Sequence, residues 1–102
     1  MNALILAISA ENADAILDGK RRTEARRHPP RRLPARAHLA VVGTGTVVGE
    51  CELGAPSKAD ARGWLMPVSR PKRYRAPRPV TAYGLAKIPR SFRYRRGGPA
   101  AA

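Results

Sequence analysis

The stretch Gly19–Arg27, GKRRTEARR, constrains this chain more than any other. The residues before it, Ser9–Asp18, have the makings of a short helix. Ser9 offers an N-cap, Glu11 stands in the first turn where the helix dipole favours an anion, and Ala13, Ile16 and Leu17 share one face. Gly19 then sits where a left-handed residue ends a helix. A helix so short, stopped by a glycine, feeds directly into an extended segment. Read as a strand, Gly19–Arg27 places Arg22, Glu24 and Arg26 on one face and Arg21, Thr23, Ala25 and Arg27 on the other, because side chains alternate. Glu24 is the one acid among these cations, and arginine's planar fork suits phosphate or carboxylate recognition. The plainer alternative is a solvated, ion-paired strand face.

The flanking segments point to a small, mostly β domain. Asn2–Ile8 (NALILAI) is apolar on both faces, as in a strand covered on both sides. It is too short to span a membrane and lacks a basic leader, so no signal peptide is expected. His28–Ala37 carries three prolines and reads as a loop, with Arg31, Arg32 and Arg36 as solvated charges or phosphate contacts. His38–Gly43, the Thr44-Gly45 turn and Thr46–Leu53 form a hairpin. Its second strand puts Val47, Gly49, Cys51 and Leu53 on one face, with Gly49 marking a bulge or close backbone approach. Gly54–Gly63 holds Ser57 as a cap for one helical turn at Ala59–Ala61, and Trp64, Leu65 and Met66 cover an open end of the core. Arg70–Arg78 (RPKRYRAPR) is kept extended by its prolines, with Tyr74 placed either to stack on a base or to pack on the barrel. Val80–Ile88 reads as the last strand. Phe92 and Tyr94 follow among four arginines, and 97–102 as a flexible tail.

Charge bounds the partners. Twenty Lys and Arg against seven Asp and Glu give a formal net charge of +13 over 102 residues. A GC-rich genome would explain the preference for Arg over Lys, but not the shortage of carboxylates. Such an excess favours a polyanion, nucleic acid first and an acidic partner or membrane surface second. Cys51 is the single cysteine, which rules out an internal disulfide and fits a reduced, cytoplasmic setting. It reads as a small core residue.

The run ILDGKRRTEARR, preceded by ALILAI, resembles the ASCH family of PUA-like β-barrels. Ile16, Leu17, Gly19, Glu24 and Arg26 match that family's pattern residue by residue, while its usual lysine position carries Arg21. Val48, Gly49 and Glu50 are similar to a later family strand, and PVTAYGLAKI to its closing one. The resemblance implies an α+β, mostly β fold: a small PUA-like barrel over residues 1–96 with one short N-terminal helix. It also implies RNA association, single-stranded or tRNA, and in some members enzymatic activity.

Two activities follow from it. An amidohydrolase acting on acylated cytidine would use a lysine, a threonine and a downstream glutamate. Here those positions hold Arg21, which cannot shed its proton, and Glu24, and no glutamate follows Glu52; Lys20 and Thr23 are each one position out of register. A ribonuclease, a hydrolase of single-stranded RNA, keeps more of its parts. Glu24 would be the base toward a ribose 2′-OH, with Lys20, Arg22 or Arg26 stabilising the phosphorane. No cofactor is required, though Glu24 with Glu50 would suit a divalent cation such as Mg²⁺. His28 and His38 are too far apart in sequence to judge as an acid–base pair, and at least one is expected to be structural.

The expected site therefore has Lys20, Glu24 and Arg26 as catalytic candidates. Its nucleic-acid contacts are Arg21, Arg22, Arg27, Arg70, Lys72, Arg73, Tyr74 and Arg75. The expected partner is RNA, with DNA also within reach of the charge argument, no membrane and a monomeric chain. The other reading is a non-catalytic adaptor for an acidic protein.

Overall fold

Strand β1, Asn2–Ile8, is buried from Leu4 onward and lies inside a sheet, as its two apolar faces require. It runs parallel to β3 (Ala35–Val41) and antiparallel to β7 (Phe92–Arg95). Leu4, Leu6 and Ile8 enter the main core, whereas Ile5 joins a second cluster with Ala40, Val47, Tyr74 and Tyr83. Helix α1, Ala10–Leu17, is capped by Ser9, whose hydroxyl accepts the Asn12 N–H at 3.2 Å. At its other end Gly19 takes φ +77°. The N–H groups of Lys20 and Gly19 then return to the carbonyls of Ala15 and Ile16 at 2.9 and 3.0 Å, the double closure that lets a glycine stop a helix. This computed structural model describes residues 1–95; the expected tail 97–102, and Arg96, lie outside the described residues.

The remaining strands are β2 (Thr23–Arg26), β4 (Thr46–Leu53), β5 (Lys58–Asp60) and β6 (Gly63–Pro79). Their order is β2-β6-β4-β3-β1-β7, with β5 beside β6. The long β6 carries the sheet around a corner, pairing first with β2 and β5 and then with β4. The result is a curled half-barrel, mostly β with one helix. Arg26 ties its open seam: from β2 at one edge its guanidinium donates to the Ala7 carbonyl at 2.7 Å and to Ser91 Oγ at 3.2 Å, beside β7 at the other.

Several expectations are corrected. The central strand begins at Thr23, not Gly19, because the glycine cap consumes Gly19 and Lys20. The hairpin's first strand begins at Ala35, where pairing with β1 extends it into the proline loop. Ala59 and Asp60 form the short strand β5, folded back on β6, instead of a helical turn capped by Ser57. Leu65 and Met66 are buried, but Trp64 is 48% exposed and belongs to neither core cluster. Val80–Tyr83 is a 3₁₀ turn ended by Gly84 at φ +78°, so the closing strand is β7 and not Val80–Ile88.

Gly49 sits at the bulge its sequence suggested. The β3–β4 register shifts between Leu39 and Ala40, which turns Val47 toward the second cluster while Gly49, Cys51 and Leu53 remain buried. A Cβ at Gly49 would lie 2.6 Å from the Lys72 carbonyl oxygen and 2.7 Å from Leu17 Cδ2. Gly49→Ala is expected to cost about 2 kcal/mol by overpacking, lowering the thermal midpoint by about 10 °C; a melting curve checks it. Cys51 is fully buried, and burial pushes its thiol up to about 12, so it is an inert core residue.

Candidate nucleic-acid interface

The sequence between α1 and β2 does two jobs. Its backbone closes the helix, and its side chains wall a pocket of about 370 Å³. Arg21 and Arg22 form one side, Ser69 and Arg70 the other, and Ile16, Val68 and Pro71 supply apolar lining. The Arg22 carbonyl accepts the Val68 N–H at 2.8 Å, which fixes the two walls against each other.

Arg21 is held from three directions. Nη1 donates to Asn12 Oδ1 at 3.0 Å, Nε donates to the Thr23 carbonyl at 3.0 Å, and Nη2 lies 3.3 Å from Glu24 Oε1. This last contact is an ion pair without hydrogen-bond alignment, since Oε1 accepts no hydrogen bond. Glu24 Oε2 accepts from Arg26 Nε at 2.9 Å. Glu24 is only 3% exposed. It is thus the shared counter-ion of one guanidinium that lines the pocket and another that closes the seam.

The opposite wall carries an unusual backbone. Opposite β4, Glu50 pairs with Lys72 but Glu52 with Ser69, so Arg70 and Pro71 bulge out. Arg70 adopts φ +49°, rare for a residue with a side chain and further disfavoured before proline. Its carbonyl is held by Arg36 Nη1 at 3.0 Å, and its guanidinium reaches Glu52 at 3.6 Å. Strain of this kind concentrates at ligand-binding sites.

A buried polar network lies on the far face of β3 and β4. Tyr74 donates to Glu50 Oε2 at 2.7 Å, Tyr83 donates to Tyr74 at 3.2 Å, and Arg78 donates to Tyr83 at 3.4 Å. His38 Nδ1 is 3.0 Å from the Tyr74 oxygen. Because the Tyr74 proton is committed to Glu50, His38 must carry its own on Nδ1 and donate it. Arg36 Nε closes the network on Glu50 Oε1 at 3.0 Å. Burial lowers His38 to about 4, against the pull of Glu50 and helped by Arg95, Arg36 and Arg78. Burial alone would raise Glu50, but the Tyr74 and Arg36 hydrogen bonds hold it below the usual carboxylate range. Tyr74 is pushed up by burial and by its Tyr83 and Glu50 hydrogen bonds.

Three solved structures share this architecture. Two are single-substitution variants of the ASCH protein of Zymomonas mobilis. The serine-to-alanine variant has TM-score 0.76 and 17% identity, over 92% of this chain and 88% of that one. The tyrosine-to-phenylalanine variant has TM-score 0.77 and 18% identity, over 94% and 91%. The unmodified protein has TM-score 0.65 and 20% identity, over 92% and 87%. The chain has the ASCH fold. No family model matches the sequence, and no curated protein does.

On this PUA-like, ASCH-type half-barrel the expected site residues are dispersed. Arg21, Arg22 and Arg70 converge on the pocket. Arg27, Lys72 and Arg75 are exposed and in no ion pair among the described residues. Arg73 is committed to the helix, donating to Asp14 at 3.0 Å and Asp18 at 2.9 Å. Tyr74 is 8% exposed, and that burial removes it from any base-stacking surface; Arg78 stands 3.8 Å over its ring. Of Lys20, Glu24 and Arg26, the structure brings Glu24 and Arg26 together as an ion pair at 2.8 Å. Lys20 is exposed on the helix cap, Arg26 is spent on the seam, and Glu24 is absent from the pocket lining. Glu24 and Glu50 each pair with guanidinium groups, Glu24 with those of Arg21 and Arg26 and Glu50 with that of Arg36.

Sequence reading missed two groupings, the network around Glu50 and a second basic hollow beside β7. The first was one register step from view. A two-residue turn at Thr44-Gly45 would put Cys51 opposite His38. The strands instead end at Val41 and restart at Thr46, and with the bulge this brings Glu50 opposite His38.

Proposed function

We propose that this ASCH-fold domain is an RNA-binding module whose primary contact is the pocket between α1 and the Arg70 bulge. The observation that carries this reading is the pairing of an apolar lining, Ile16, Val68 and Pro71, with guanidinium walls at Arg21, Arg22 and Arg70. A base fits the former and its phosphate the latter, the combination used by proteins that bind single strands. Arg75, exposed farther along β6, adds a further cation. Ser69 adds a hydroxyl to the wall, a donor and acceptor of the kind a ribose 2′-OH pairs with. Preference for RNA over DNA rests on that group and on the PUA-like resemblance.

In this reading Glu24 is a positioning residue that fixes Arg21 in the wall, and binding needs no catalysis. The double variant Arg22→Glu, Arg70→Glu tests it. It is expected to bind single-stranded RNA at least tenfold more weakly, a loss of about one charge-assisted contact or more, while melting like the wild type. Unchanged affinity overturns the pocket assignment. An acidic protein docked on this face would share the salt sensitivity but not the ribose preference.

A further inference from the structure

The second basic hollow lies at the other end of β2. It has a volume of about 390 Å³ and is lined by His28, Pro29, Arg31, Arg32, Phe92 and Tyr94. Two aromatic rings form its β7 side: Phe92 and Tyr94 alternate onto one face of this edge strand, with ring centroids 5.6 Å apart in an edge-to-face arrangement. The loop side is built on the same tyrosine. Its hydroxyl accepts the N–H groups of Arg31 and Arg32 at 2.8 and 2.9 Å, and Asn2 Nδ2 donates to the Arg32 carbonyl at 3.3 Å. The backbone is fixed while both arginine side chains stay exposed, and the Arg32 guanidinium stands 4.9 Å over the Tyr94 ring. A neighbouring hollow of about 450 Å³ shares His28, Pro29 and Arg31 and adds Arg27 and Pro56, so the groove continues along the surface.

We infer that this hollow is a second nucleotide subsite, holding an unpaired base against Phe92 and Tyr94 with flanking phosphates on Arg31 and Arg32. The inference rests on the RNA-binding reading and extends it to a strand running the length of β2. The chemistry is that of a stacking platform inside a cationic groove. Continuity with the neighbouring hollow favours a polymer over a free nucleotide. From Arg22 at the first pocket to His28 at the second is about 20 Å at ~3.3 Å per extended residue. A dinucleotide cannot bridge that span, whereas a twelve-nucleotide strand reaches about 40 Å at ~3.4 Å per stacked nucleotide.

The test compares wild type, Phe92→Leu and Arg31→Ala/Arg32→Ala, each binding a dinucleotide and a twelve-nucleotide single-stranded RNA. Phe92→Leu keeps the site apolar and the charge constant, and is expected to weaken the long RNA about tenfold by loss of stacking. The arginine pair is expected to reduce the slope of log affinity against log salt by about 1.4, two phosphates at ~0.7 each. Dinucleotide binding, followed by NMR shifts at the first pocket, stays unchanged in both variants. Long-RNA affinity equal to wild type in both overturns the second subsite alone. Parallel losses for the two RNAs also overturn it, by assigning the effect to overall charge or folding. A wild type that binds neither RNA overturns the RNA reading and this subsite together.

Discussion

Glu24→Gln is expected to lower the thermal midpoint by more than 10 °C. The carboxylate is 3% exposed and faces two guanidinium groups, Arg26 at 2.8 Å and Arg21 at 3.3 Å. A neutral amide of the same shape leaves both cations without a counter-ion. Breaking a buried pair from one side costs about 3–5 kcal/mol. Because the two arginines keep 19% and 29% side-chain exposure, the lower end applies, about 3 kcal/mol. For a domain of this size each kcal/mol moves the midpoint by about 4–8 °C. The loss should be non-additive with Arg26→Met, because the double variant removes both members of one pair. RNA affinity should fall together with stability, since Arg21 loses one of its three anchors. A midpoint within a few degrees of the wild type would contradict this account.

Acid should destabilise the fold through His38. Above pH 6.5 the imidazole is neutral in both folded and unfolded chains and contributes no pH dependence. Below 6.5 the unfolded chain takes up a proton that the folded chain, with His38 at about 4, refuses. Stability therefore falls by up to about 1.4 kcal/mol per pH unit, reaching about 3 kcal/mol near pH 4. Glu50 acts in the same direction but lower down. Its folded value is depressed, so its contribution is intact above the ordinary carboxylate value of 4.5 and is lost only as pH falls further. The window between 6.5 and 4 thus belongs mainly to His38. Urea unfolding across this range should show the decline in wild type and a flatter profile in His38→Gln. An equal slope in both proteins would assign the acid sensitivity elsewhere.

The parts of the fold that were legible in the sequence are those governed by local chemistry. Ser9 and Gly19 bound α1 because capping is decided within a turn, and Asn2–Ile8 had to be buried on both faces whatever covered it. Thr46–Leu53 was readable from its alternation, and even its bulge announced itself as Gly49. Misreadings arose where distant partners decide. Val80–Ile88 has strand-like composition, yet among the described residues no strand is opposite it, because β7 takes the place beside β1. Arg21 and Glu24 have opposite parity on a regular strand, but meet because Arg21 precedes β2. Tyr74 lies among cations in sequence, but in space its hydroxyl is hydrogen-bonded to Glu50, His38 and Tyr83, since burial depends on which side of β6 meets the sheet. The convergence of Arg21 and Arg22 with Arg70 needed β6 to turn its corner, which no spacing rule encodes.

The claim that this surface holds a phosphate backbone is tested most directly by its salt dependence. Fluorescence anisotropy of labelled single-stranded RNA would be followed across a series of potassium chloride concentrations. With phosphates on Arg22, Arg70 and Arg75 and, at the second subsite, on Arg31 and Arg32, log affinity should fall against log salt with a slope of about −3.5. The Arg22→Glu, Arg70→Glu variant should show a shallower slope. A slope near zero, or one the double variant leaves unchanged, would contradict the account.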